Sequence, residues 1–145
     1  MRIAIALATA ALLAACSNAP SSPAPHGWQP IAGATNAWST GRGAEHEEYY
    51  YVTTPFSGTL SDLASHVTVE ALLRYRGSRF RGSVPFAPCP GAAGIATFVL
   101  PNGATLEEGF AVRRGQAIQV RYLRPTGAPF DPNVTLAMHT ALCAL

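Results

Sequence analysis

The chain has 145 residues, 48% of them hydrophobic and only 12% charged, with ten arginines, no lysine and eight acidic residues for a formal net charge of +2. So apolar a composition excludes a disordered chain, and a near-neutral balance without a block of one sign excludes a general nucleic-acid binder. This length accommodates one domain with its own hydrophobic core, which needs no dense disulfide scaffold.

Met1 and Arg2 form a minimal positive start, and Ile3 to Leu13 is apolar except for Thr9. That is the length of a secretory h-region, and it falls short of the roughly 20 apolar residues that a spanning helix needs. Leu13-Ala14-Ala15-Cys16 follows, a branched apolar residue and two small ones ahead of a cysteine. The motif resembles the lipobox of bacterial lipoproteins. The resemblance implies that residues 1–15 are a removed signal peptide and that Cys16 is acylated. The alternatives are an ordinary signal peptide cut at an Ala-x-Ala-type site and a short uncut anchor. On the same resemblance, Ser17 in place of aspartate implies the outer membrane, with the domain facing the periplasm or the cell surface.

Residues 16–27 are dominated by Pro, Ser and Ala without charge or bulk before His26, so they bury too little surface to order and form a tether. Residues 28–145 remain as one domain. With Cys16 committed to lipid, Cys89 and Cys143 are left over, and in an oxidising compartment an even pair reads as a disulfide. The alternative, Cys89 as a nucleophile or redox centre, lacks both a second cysteine two residues along and a partner histidine.

Trp28 to Gly43 reads as an irregular lead-in whose tryptophans pack on the domain rim. Glu47 to Phe56, with three successive tyrosines, is a β-prone run bounded by Pro55 and Gly58. Thr59-Leu60-Ser61-Asp62 has the spacing of a capping box. Behind it Leu60, Leu63, Ala64, Val67, Ala71 and Tyr75 keep helical spacing as far as Gly77. The β-branched residues Val67, Thr68 and Val69 mark a point where that helix is expected to break or kink.

Arg79 to Ala87 alternates, placing Phe80, Gly82, Val84 and Phe86 on one face and Arg79, Arg81 and Ser83 on the other. Gly94 to Leu100 is apolar on both faces, as a central strand is. Glu108 to Arg113 and Gln116 to Arg124 complete a run of four strands joined by tight turns. In the last of them Ile118, Val120 and Tyr122 face one way, and Gln119 and Arg121 the other. Asp131-Pro132 opens a final helix, with Asp at the N-cap and Pro at the first position. Its stripe is Val134, Met138, Ala141, Leu142 and Leu145.

Strands joined by short turns are antiparallel, because parallel pairs need long crossovers. The expected fold is therefore α+β: a single antiparallel meander sheet of about five strands with two helices packed against it. The succession of elements is similar to that of PsbP-like proteins, the photosystem II extrinsic fold. That resemblance rests on element order and implies helices on both faces. Arg79, Arg81 and Arg121 on outward faces argue instead for one wet face.

Glu45-His46-Glu47-Glu48 offers metal-ligand types, but neighbouring residues diverge in direction and no second ligand pair at helical spacing accompanies them, so no metal is assigned. Ser61, Asp62, Ser65 and His66 suggest an acyl-transfer set, yet no Gly-x-Ser-x-Gly elbow is present and capping explains Ser61 and Asp62. His66 and His139 read as surface or packing histidines. Arg74, Arg76, Arg79 and Arg81, clustered at a helix-to-strand junction with Arg121 and Arg124 as neighbours, are the candidate anion-binding residues. Guanidinium groups hold phosphates and carboxylates in bidentate fashion. The function expected is a lipid-anchored cell-envelope domain with a non-catalytic binding or structural role and no cofactor. It meets the membrane through its anchor and takes an envelope protein or anionic lipid as partner, with no nucleic acid. The competing class is an envelope hydrolase.

Overall fold

The structure, a computed structural model, describes residues 24 to 143. The leader, the lipobox with Cys16, most of the tether and the last two residues lie outside the described residues.

Seven strands form one antiparallel sheet: β1 (Gln29–Pro30), β2 (Ala37–Thr40), β3 (Glu47–Pro55), β4 (Arg79–Pro85), β5 (Ala93–Val99), β6 (Thr105–Arg113) and β7 (Gln116–Arg124). Their order is β1-β2-β3-β7-β6-β5-β4. Two meanders are therefore joined edge to edge along β3 and β7, where Tyr49 pairs with Tyr122 and Tyr51 with Val120. Helix α1 (Leu60–Arg74) carries the chain from the end of β3 across the sheet to the far edge at β4, and α2 (Pro132–Cys143) closes the fold. The class is α+β with one antiparallel sheet and two helices, as expected, but the strand number of about five is corrected to seven. The two additional strands, β1 and β2, come from the stretch read as irregular. At two and four residues they are too short to show alternation, and they pair because Trp38 and Ala37 reach the core.

The two helices lie on opposite faces. On β7, Ile118, Val120 and Tyr122 pack with α2 residues Val134, Met138 and Leu142. Ala117 joins Leu63, Val67 and Ala71 of α1. Because successive strand residues point to opposite faces, the sheet is the middle layer of three. At Gly109 α2 comes close to the sheet, since a Cβ there would sit within 2.8 Å of Val120, Met138 and Leu142 side chains. The expectation of one wet face is thus overturned. Trp28 and Trp38 are both buried on the α2 side, Trp28 edge-on to Tyr122.

The capping box forms as spaced. Thr59 Oγ1 accepts from the Asp62 amide at 3.1 Å and the Asp62 carboxylate accepts from the Thr59 amide at 2.8 Å. Helix α1 then runs unbroken through Val67-Thr68-Val69, so the expected kink is absent. The Thr68 hydroxyl donates to the Ala64 carbonyl, and burial of Val67 and Ala71 outweighs the modest helix propensity of the β-branched residues. At α2, the Asp131 carboxylate accepts from the Asn133 amide at 2.7 Å. Cys143 on the last turn of α2 is bonded to Cys89 in the β4–β5 connection, with Cα atoms 5.7 Å apart. Arg113 donates to the carbonyls of Ala141 and Leu142 at the same helix end.

Strand β4 departs from simple alternation. Phe80 pairs with Phe98, but the next register pair is Gly82 with Thr97, so Arg81 is an extra residue in a bulge. Gly82 takes φ +146° there, a value that side chains rarely adopt. Phe80 consequently faces the α1 side, whereas Gly82 and Val84 face the α2 side. The single apolar face read for Arg79 to Ala87 is corrected accordingly, and Phe80 and Val84 both stay exposed on this edge strand.

Candidate functional site

Beneath α1 lies a network of charged side chains drawn from three elements. Arg121 of β7, whose side chain is only 11% exposed, donates from Nε to Glu108 of β6 at 3.0 Å and from Nη2 to Glu70 of α1 at 2.7 Å. Glu70 also accepts from Arg74 at 2.7 Å. Glu108 is almost completely buried and its second carboxylate oxygen has no hydrogen-bond partner among the described residues. Burial pushes the Glu108 carboxyl up to about 7, against the opposing pull of Arg121. Arg121 is therefore a strut between sheet and helix, which corrects its placement on an outward face.

A second pairing sits on the α2 side. Glu107 accepts from Arg124 at 2.8 Å and from the Thr97 hydroxyl at 2.6 Å. Tyr122 donates to Glu47 at 2.5 Å and its oxygen accepts from the Asp131 amide. This splits the Glu45-His46-Glu47-Glu48 segment. Glu47 is turned inward, while His46 and Glu48 share a bond of 3.0 Å on the other side of the strand, with Tyr50 donating to Glu48. Among the described residues no group of three metal-ligating side chains converges. Of the acyl-transfer candidates, Asp62 is engaged in the cap, Ser65 donates to the Ser61 carbonyl, and His66 lies 3.8 Å from Glu70 on the exposed side of α1.

The arginine cluster is divided by the fold. Arg74 is held by Glu70 on α1. Arg76, Arg79 and Arg81 are exposed and form no ion pair with a described residue. Arg76 follows the end of α1, and Arg79 and Arg81 lie on β4, where Arg79, paired with Val99, turns to the α2 side. Beside them the outward side of α1 exposes Leu73 at 69% and Val69 at 57%, with Leu72 at 39%, and Phe80 is 44% exposed. Sequence reasoning found the arginines but missed these apolar neighbours. Val69, Leu72 and Leu73 lie off the buried stripe of Leu63, Val67 and Ala71, and that mismatch was the available signal.

Clefts lie at three places among the described residues, and the first of them borders α1 and β4. A groove of about 290 Å³ between the start of α1 and the β4–β5 edge is lined by Leu60, Ala64, Pro85 and Phe110, with Gly94 leaving room for the Phe110 ring. A larger cleft of about 700 Å³ runs along Pro125 to Asn133 with Glu45 and Glu47. The third, of about 350 Å³, lies by His46, Glu48 and Arg124.

No family model matches the chain, and no curated protein matches it. Among solved structures it is similar to the lipid transfer and protein localization domain of human StarD13 (DLC2). The identity is 11% over 79% of this chain and 89% of that one, with a TM-score of 0.34. A likeness of that size bears on neither the function nor the partners of this chain.

Proposed function

We propose that the chain is a lipid-anchored cell-envelope domain whose role is binding. The observation that carries this reading is the exposed face at the α1–β4 junction, where Arg76 and Arg81 lack carboxylate partners in the same stretch as exposed Leu72, Leu73, Val69 and Phe80. Unpaired guanidinium groups beside exposed apolar side chains are the makings of an interaction surface. The lipobox-like Leu13 to Cys16 supplies the anchor, cleavage ahead of Cys16 exposes the residue to be acylated, and the Pro/Ser/Ala tether sets the domain off from the outer membrane.

The experiment is metabolic labelling with a fatty acid analogue, paired with substrate turnover. Label is expected on the wild-type chain and absent from Cys16→Ala, with no turnover of simple ester or glycoside substrates above a blank. An unlabelled chain that hydrolyses such a substrate overturns the reading in favour of the hydrolase.

A further inference from the structure

We propose that the α1–β4 face docks on an anionic phospholipid surface, with Arg76 and Arg81 on lipid phosphates and the neighbouring apolar tips at the headgroup boundary. This names the partner of the face just described and rests on the anchored reading, which places the domain beside a bilayer.

The charge on this face is uncompensated by construction. Of the described arginines, Arg113 is spent on the carbonyls that end α2, Arg124 on Glu107, Arg121 on Glu108 and Glu70, and Arg74 on Glu70, whereas Arg42 and Arg114 are exposed away from this face, in the β2–β3 and β6–β7 connections. Glu70 is the one carboxylate in the second half of α1, and Arg121 pulls it inward. What is left facing outward is cationic, and an anionic surface is its complement.

The apolar residues are placed as an interfacial helix places them. With about 100° between successive helical positions, Val69 and Leu73 lie opposite the stripe of Leu63, Val67 and Ala71, and Leu72 falls on the flank towards β4. Phe80 stacks on Phe98 at 5.4 Å, within the α1 cluster, and so emerges on the same side of the sheet, whereas Arg79, paired with Val99, leaves the strand on the other side. These side chains form a ridge, and none of them lines the three clefts described above. A ridge carrying Leu and Phe between arginines suits a fluid bilayer boundary, into which tips insert without a matching cavity. Strand addition by a protein partner is disfavoured here, because the Arg81 bulge breaks the open ladder of β4 and Pro85 ends it.

Two arginines near an anionic leaflet correspond to roughly a thirtyfold preference over a neutral one. The test is hydrogen exchange of the intact chain on vesicles of phosphatidylcholine alone and of phosphatidylcholine with phosphatidylglycerol. Amides of residues 69–81 are expected to exchange several-fold more slowly on the phosphatidylglycerol vesicles, and high salt is expected to abolish the difference. A chain carrying Arg76→Glu and Arg81→Glu should lose the protection while exchange in β6 and β7 stays native, and Leu73→Asp should weaken it. Equal exchange on both vesicles, or protection that survives charge reversal, overturns the proposal. Protection that appears only when envelope proteins are added also overturns it, in favour of a protein partner. Fatty acylation read by mass in the same samples separates the two readings. An acylated chain without protection defeats the docking surface alone, whereas an unacylated chain with phosphatidylglycerol-dependent protection upholds the docking surface and defeats the anchor.

Discussion

At the scale of single residues, Glu108 is the side chain whose environment most alters its chemistry. Its carboxyl is raised to about 7 by burial, even with the Arg121 guanidinium at 3.0 Å. A carboxyl raised in the folded state contributes stability that is complete below its ordinary value near 4.5 and is lost as pH climbs through about 7. The size of this contribution is about 3 kcal/mol. Urea unfolding midpoints should therefore fall between pH 4.5 and 7, and Glu108→Gln should flatten that slope. A slope unchanged in the variant would place the titration elsewhere. Arg121, opposite Glu108, also shows where sequence reasoning stops. Alternation along β7 established that Arg121 faces away from Val120, but the helix covering that second face, and the Glu70 that reaches down from it, are tertiary facts.

Among the elements, α1 was legible at its ends and along its buried stripe because caps and periodicity are local. Removing the cap tests how much it contributes, and Thr59→Ala is expected to destabilise the domain by about 1 kcal/mol. A thermal melt followed by circular dichroism measures it, and Asp62→Asn should act in the same direction. Strand β4 was legible as a strand but not in its facing. A bulge displaces every later side chain by one position, and the sequence Phe80-Arg81-Gly82 carries no sign of it except a glycine. Strands β1 and β2 were not legible at all, since their pairing depends on Trp28 and Trp38 finding the α2 face of a sheet formed elsewhere in the chain.

For the whole molecule, the sequence gives the class and the antiparallel connections, whereas the three-layer arrangement follows only from which residues each helix covers. The Cys89–Cys143 bond joins the end of α2 to the β4–β5 connection across a separation of 54 residues. By chain entropy such a link adds on the order of 4 kcal/mol as an upper figure. Cys143→Ser should lower the urea midpoint by a corresponding amount, and an unchanged midpoint would show that the helix docks without it. The seam between β3 and β7 carries a different consequence, one of timing. Each meander assembles from neighbours in sequence, but the seam joins Tyr49 to Tyr122 and forms only when the two halves meet. Contacts so distant in sequence slow folding, so refolding is expected to be governed by this one late encounter, with Val120→Ala slowing folding and Ile95→Ala mainly hastening unfolding in stopped-flow traces. Until the halves meet, β3 and β7 are two unpaired apolar edges, and in that interval the chain is most exposed to association with copies of itself.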